Sequence, residues 1–257
     1  ITYNENIEAS QLGIFGKMYL NGYIYRGLKP VYWCPDCETA LAEAEIEYKD
    51  HESLSLYVKF NVIDAKGLFD EKNTSIVIWT TTPWTLPGNT GITVGGDYDY
   101  SVVEAGNERY IIASELVEKV MKIAGIEEYR EVQKFKGKEM EGILCKHPFL
   151  DRNSRVVIGS ETTVNVDVVD GTGAVHTAPA YGKEDYLQGL KDNLDMEVCV
   201  DAKGHQTEGA GQFAGMFYAK SNKAIAAWLE ENGYLLKSVP IKHSYPHCWR
   251  CKNPVIY

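Results

Sequence analysis

Cys34-Pro-Asp-Cys37 near the start of the chain and Cys248-Trp-Arg-Cys251 at its end are two C-x-x-C pairs. Four thiolates so spaced suit the tetrahedral demand of a structural zinc ion, which predicts that the two ends of the chain meet in space. Everything between residues 38 and 247 then grows out of a small zinc-tied stem. By the chain-entropy formula for crosslinks, tying so long a loop contributes roughly 5 kcal/mol at most. His243 and His247 flank the second pair, and His247 is an alternative fourth ligand.

At 257 residues the chain can bury a substantial core, and one large domain with a small appendage is the division its pattern suggests. Residues 1–50 carry a helix and the first half of the stem, 51–240 the body, and 241–257 the second half of the stem. A formal charge of -10 and an isoelectric point near 5.2 argue against non-specific capture of nucleic acid, which needs a basic footprint, but leave room for a local basic strip. No run approaches the roughly 18 apolar residues of a membrane span, and the opening Ile1-Thr2-Tyr3-Asn4-Glu5-Asn6 is unlike a signal peptide. A soluble, cytoplasmic chain is expected, and the missing initiator Met suggests a piece of a longer protein. Six cysteines would allow three disulfides in a secreted protein, but a chain of this size needs no such staples. Cys145 and Cys199, outside the pairs, are assigned to packing.

Residues 7–20 place Leu12, Phe15 and Tyr19 at helical spacing before Asn21-Gly22, so a short helix precedes the first cysteine pair, its apolar face docking on the stem or on something outside this chain. Residues 54–62 and 75–82 read as strands, the second β-branched, aromatic and closed by Pro83. Further strands are expected at 100–104, 109–113, 155–158 and 174–178. Helices are expected at 114–124, with Ser114 as N-cap and Gly125 as the stop, at 183–193, and at 220–232 before Gly233. The pattern is α+β, mostly β and barrel-like, without regular βαβ alternation. Glu38, Glu43, Glu45 and Glu47 read as a solvated face or stem contacts. Trp228 and Ile225 read as core.

Two segments put polar groups where a plain core strand would be apolar. In Thr80-Thr81-Thr82-Pro83-Trp84-Thr85-Leu86-Pro87-Gly88-Asn89 a strand delivers four hydroxyls, an indole and an amide into a loop stiffened by two prolines, as a preorganised site requires. Threonine is also simply a good strand residue. In Gly171-Thr172-Gly173-Ala174-Val175-His176-Thr177-Ala178-Pro179 the glycines permit a tight turn or a close ligand approach, and His176 leaves a strand just before a proline-broken loop. Asp185 follows in the first turn of a helix, where the dipole favours a carboxylate whether or not a ligand binds. No histidine shows the spacing of a catalytic metal site.

Together, WTTTPWTLPGN at 79–89, GTGAVHTAP at 171–179 with Asp185, KPVYWCPDCETALAEAEIEY at 29–48 and HSYPHCWRCKNPVIY at 243–257 resemble the editing (connective peptide) domain of class I aminoacyl-tRNA synthetases. The resemblance is to the isoleucyl branch, because His176-Thr177-Ala178-Pro179 is unusual in the valyl and leucyl ones. It implies hydrolysis of the aminoacyl ester of a mischarged tRNA(Ile), mainly Val-tRNA(Ile), at the tRNA 3' end, and clearance of misactivated amino acid, within a larger synthetase. A synthetic pocket rejects valine weakly, since one missing methylene is worth only ~1–3 kcal/mol, a magnitude established on this same enzyme family and taken over as such. A second, smaller pocket excludes isoleucine by overlap.

The resemblance implies roles residue by residue. Asp185 holds the substrate α-ammonium; Thr80, Thr81, Thr82 and Thr85 form the wall around the ester and its water; Asn89 and Trp84 sit at the terminal adenosine. His176 walls the side-chain pocket. No general base is assigned, because threonine hydroxyls are poor bases and a carboxylate paired with an ammonium is a weakened one; positioning with help from the adenosine's ribose hydroxyl is expected. The HIGH and KMSKS signatures of ATP-dependent activation do not occur. Alternatives are a valyl or leucyl editing domain, and a non-enzymatic zinc-ribbon module that binds RNA or protein.

Overall fold

The computed structural model describes residues 3–257; Ile1 and Thr2 lie outside the described residues. Helix α1 (Glu5–Leu20) is capped by Asn4, whose side chain accepts from the Asn6 N–H at 3.0 Å. α1 buries none of its residues, and Leu12, Phe15 and Tyr19 stay exposed, so its apolar side chains do not dock on the stem as the sequence allowed. The strands follow in order: β1 (Tyr32–Cys34), β2 (Thr39–Leu41), β3 (Ile46–Asp64), β4 (Thr74–Thr80), β5 (Gly91–Val94), β6 (Asp99–Ala105) and β7 (Glu108–Ala113). After helix α2 (Val117–Ala124) come β8 (Arg130–Lys136), β9 (Leu144–Lys146), β10 (Asn153–Ile158) and β11 (Ala174–Thr177). Helices α3 (Lys183–Asp192) and α4 (Tyr218–Glu231) and the long strand β12 (Leu235–Cys248) complete the chain.

Six of the strands close on themselves. β3 pairs with β9, β9 with β10, β10 with β5, β5 with β11, β11 with β4, and β4 again with β3. The barrel-like α+β expectation therefore holds, and closure leaves none of these six strands as a free edge that would invite foreign pairing. β7, β6 and β8 extend the sheet outward from β4. Ile76, Val77 and Ile78 are all fully buried, so successive side chains of β4 meet protein on both faces, which is why this strand is a continuous apolar run. Tyr100, Phe60, Leu56, Leu86 and Ile92 fill the same core, each burial contributing roughly 1.5–3 kcal/mol. Cys145, Cys199 and Ile225 belong to it, and Trp228 packs against it.

Two local expectations change. Ser114 does not cap α2: a single 3-10 turn, Ser114–Leu116, precedes the helix, and the Ser114 hydroxyl pairs instead with that of Ser101 at 2.6 Å. Gly125 does end α2, in the left-handed region at φ 75°. β12, which no sequence pattern announced, pairs with β3 from Leu235↔Val58 to Cys248↔Ile46 and carries the second cysteine pair back to the first. Its Pro240 and Pro246 are tolerated because β12 closes one end of the sheet, where an N–H facing outward needs no partner.

Candidate active site and metal centre

β11 lies parallel to β4, with Val175 opposite Trp79. This register puts the hydroxyl-rich end of β4 beside the imidazole of β11, although the two segments are remote in sequence. They share one cavity of about 300 Å³, lined by Thr80, Thr81, Thr82, Thr85, His176 and Asp185 together with Trp79, Asn165, Asp167, Asp170, Tyr181 and the segment 171–175. No lysine or arginine lines it, whereas three aspartates do. The field of such a cavity favours a cationic ligand group.

The threonines form a bonded turn. The Thr80 hydroxyl accepts from the Thr82 N–H at 3.1 Å, and the Thr85 hydroxyl donates to the Thr82 carbonyl at 2.8 Å. Pro83 sits at the first position of the 3-10 turn Pro83–Gly88, where its missing N–H costs nothing. His176 Nε2 lies 2.9 Å from Thr85 Oγ1. Burial pushes the His176 imidazole down to about 4, so it is neutral at pH 7.

Asp185 lies in the first turn of α3, and its Oδ1 accepts from the Ala178 N–H at 2.9 Å. Burial raises its carboxyl to about 6, with the Ala178 hydrogen bond opposing the rise. At pH 7 the group is still mostly ionised, and an ammonium beside it would restore full charge. Two glycines near the cavity permit close approaches: a Cβ on Gly173, at φ +76°, would lie 2.4 Å from Ala113 Cβ, and one on Gly182 would lie 2.5 Å from Asp185 Oδ2.

Where the two ends of the chain meet, Cys34, Cys37, Cys248 and Cys251 gather, all four sulfurs within 4.8 Å of one another. Cys34 and Cys251 sulfurs are 3.4 Å apart and unbridged. Four thiolates at about 2.3 Å from a common tetrahedral centre stand about 3.8 Å apart, so these residues fit a metal ion. His247 is outside the cluster: its Nδ1 engages the Tyr245 carbonyl at 2.8 Å, and the alternative ligand set is withdrawn. Of the acidic run, Glu47 makes stem contacts, pairing with Lys252 at 2.6 Å and Lys49 at 3.6 Å.

Residues 1–232 match the family model described as tRNA synthetases class I (I, L, M and V). This chain belongs to that family. The class I synthetase chain is 55% identical over its whole length to the isoleucine–tRNA ligase of Caldicellulosiruptor bescii and 51% identical to that of Moorella thermoacetica. It spans 28% and 27% of those two proteins. Among solved structures it is similar to the crystal structure of GlLeuRS-CP1, with a TM-score of 0.57 at 14% identity, covering 70% of this chain and 97% of that one. It is also similar to the editing domain of the Plasmodium knowlesi cytosolic leucyl-tRNA synthetase, with a TM-score of 0.53 at 12% identity, covering 71% and 95%. At such identity these two speak for the fold: that of a synthetase editing domain on a cysteine-clasped stem.

Within this class I synthetase chain Trp84 and Asn89, expected at the adenosine, do not line that cavity. Trp84 is 3% exposed, edge-on to Tyr181 and Tyr218 with centroids at 5.3 Å, and its backbone N–H donates to the Asn222 side-chain oxygen at 2.9 Å. It lines, with Thr81 and Thr82, a cleft of about 50 Å³, too small for a base. Asn89 is fully buried, donating to the Gly91 carbonyl at 2.9 Å and to His176 Nδ1 at 2.7 Å, so it supports the imidazole instead of facing the cavity. Sequence reading missed Asn165, Asp167, Asp170 and Tyr181 in the lining. Tyr181, just past the Thr177-Ala178-Pro179 run, was the one within reach of a motif. The buried His147 was missed as well. Its Nε2 meets the Leu86 carbonyl at 2.9 Å and its Nδ1 accepts from Leu150 N–H at 3.1 Å, which pins the 83–88 turn from behind.

Among the described residues, no helix is long and apolar enough to cross a membrane.

Proposed function

We propose that this chain is the editing domain of an isoleucine–tRNA ligase and hydrolyses the ester that joins a wrong amino acid, valine above all, to the 3' end of tRNA(Ile). The observation that carries the reading is the half-buried Asp185 carboxylate lining, together with a turn of threonine hydroxyls, one cavity of about 300 Å³ that no cationic side chain lines. An aminoacyl ester carries an obligatory α-ammonium, and an ionised carboxylate of this kind is its natural partner. With the ammonium held at Asp185, the ester lies against Thr81 and Thr82, whose hydroxyls orient the carbonyl and the attacking water. Catalysis then rests on positioning, assisted by the free ribose hydroxyl of the terminal adenosine. The wall formed by His176 excludes the extra carbon of isoleucine. Identity to isoleucine–tRNA ligases over the full chain supports the choice of cargo.

In the same reading residues 1–50 and 241–257 are the two halves of the stem joined to the rest of the synthetase, residues 51–240 form the hydrolytic body, and the four cysteines hold a structural zinc ion. Such an ion supplies a fold constraint and no chemistry at the cavity. Deacylation of Val-tRNA(Ile) against Thr-tRNA(Val) tests the assignment. Hydrolysis of the valyl ester, weakened roughly 10- to 150-fold by Asp185→Ala, is expected; hydrolysis of the threonyl ester alone would move the chain to the valyl branch. A lack of any hydrolysis would leave only a binding module.

A further inference from the structure

Three buried side chains behind the cavity form a hydrogen-bond chain whose direction can be worked out atom by atom. Asn89 Nδ2 lies 2.9 Å from the Gly91 carbonyl oxygen, which can only accept, so the amide nitrogen is fixed on that side. The same nitrogen lies 2.7 Å from His176 Nδ1. Its two hydrogens are thereby both used, and Nδ1 must be the acceptor. On its other side Asn89 Oδ1 accepts from the Ser154 hydroxyl.

A neutral imidazole with an unprotonated Nδ1 carries its proton on Nε2, which faces Thr85 Oγ1 at 2.9 Å. Thr85 spends its own proton on the Thr82 carbonyl at 2.8 Å, leaving a lone pair for the imidazole. The sequence Ser154, Asn89, His176, Thr85, Thr82 thus runs donor to acceptor without conflict. Ser154 and Asn89 are fully buried and His176 is 8% exposed, so water cannot substitute for a missing partner. The opposite tautomer, or an imidazolium, would set an N–H against the Asn89 NH₂.

We propose that Ser154 and Asn89 are positioning residues that hold His176 as its Nε2–H tautomer, making the imidazole a donor to the threonine turn and barring it from accepting the water's proton. The imidazole is then a wall and a strut. The structure supplies the tautomer independently, while its catalytic consequence rests on the ester-hydrolase reading above. Ser154 comes from β10, which lies between β9, where it is paired with Cys145, and β5, which follows Asn89.

The test is a long-range proton–nitrogen correlation spectrum of the intact chain with ¹⁵N-labelled histidine at pH 7.5, paired with valyl-ester kinetics. In the wild type His176 is expected wholly in the Nε2–H form. In Asn89→Asp, a carboxylate beside Nδ1 is expected to draw a proton there, giving the Nδ1–H form or the imidazolium, and to lower kcat at least about tenfold. Ser154→Ala is expected to give a mixed tautomer signature with a smaller kcat loss at nearly unchanged KM. A wild-type spectrum showing Nδ1–H or a mixture overturns the proposal even if no variant folds, as does an Asn89→Asp spectrum unchanged from wild type. Absence of wild-type hydrolysis with the expected tautomer pattern would remove the hydrolase reading and leave the tautomer assignment standing.

Discussion

Gly182→Ala should disable ester hydrolysis while leaving the fold intact. Gly182 caps α3 in extended backbone, φ -170° and ψ 148°, a conformation open to any residue, so the substitution adds no backbone strain. An alanine Cβ there would fall 2.5 Å from Asp185 Oδ2 and 3.3 Å from its carboxyl carbon. Ordinary contact needs about 3.5 Å, so the carboxylate must retreat by about 1 Å, and a displacement of that order can cost about 100-fold in rate. Loss of a charge-assisted hydrogen bond to the ammonium, about 1.5–3 kcal/mol, gives a similar range of roughly 10- to 150-fold in kcat/KM. Stability should change by less than about 1 kcal/mol, since the weaker cap is offset by the stiffer unfolded chain. Steady-state deacylation of Val-tRNA(Ile), with thermal melts alongside, measures both. A double-mutant cycle supplies the control: in an Asp185→Ala background Gly182→Ala should have no further effect. Wild-type activity in Gly182→Ala, or full additivity with Asp185→Ala, would refute the coupling.

Asp185 also links activity and stability to pH. Its folded value near 6 lies above the ordinary 3.8, so the folded chain holds a proton that the unfolded chain releases, and this group's contribution to stability falls as pH rises from about 4 to 6. Asp185→Asn should therefore be more stable than wild type at pH 8 in denaturant titrations and lose that advantage below pH 4, while wild-type kcat/KM should decline about tenfold per unit below pH 6. Gly173→Ala, which combines a left-handed φ of +76° with a Cβ 2.4 Å from that of Ala113, should lower stability by about 2 kcal/mol or more in the same titrations. Cys34→Ser or a strong chelator should lower the melting temperature, with roughly 5 kcal/mol as the ceiling set by loop closure; metal content near zero with unchanged melting would refute the tie.

The strands built from β-branched residues, β4, β6, β7, β10 and β11, were legible because their composition and turn signals agree with their burial. β12 was not, since it is an exposed ribbon whose alternation is polar and whose two prolines imitate a loop; only its partner β3 explains it. The meeting of hydroxyl turn and carboxylate was read from family motifs, and no local pattern carries it: the register of β11 on β4 does. Asn89 illustrates the limit. Its motif marks it as functional, but only the burial around it separates an amide that faces the ligand from one that braces the imidazole. Ser154 has no signal in sequence at all, being an ordinary serine in a strand of six residues.

The most direct measurement is a structure of the chain with a non-hydrolysable valyl-adenosine analogue bound. The α-ammonium is expected within hydrogen-bond distance of the Asp185 carboxylate, with the acyl carbonyl against Thr81 and Thr82 and the valine side chain against His176. An analogue seated elsewhere, for instance in the apolar groove of Leu28, Val31 and Ile256, with the cavity between β4 and α3 left untouched, would contradict the assignment.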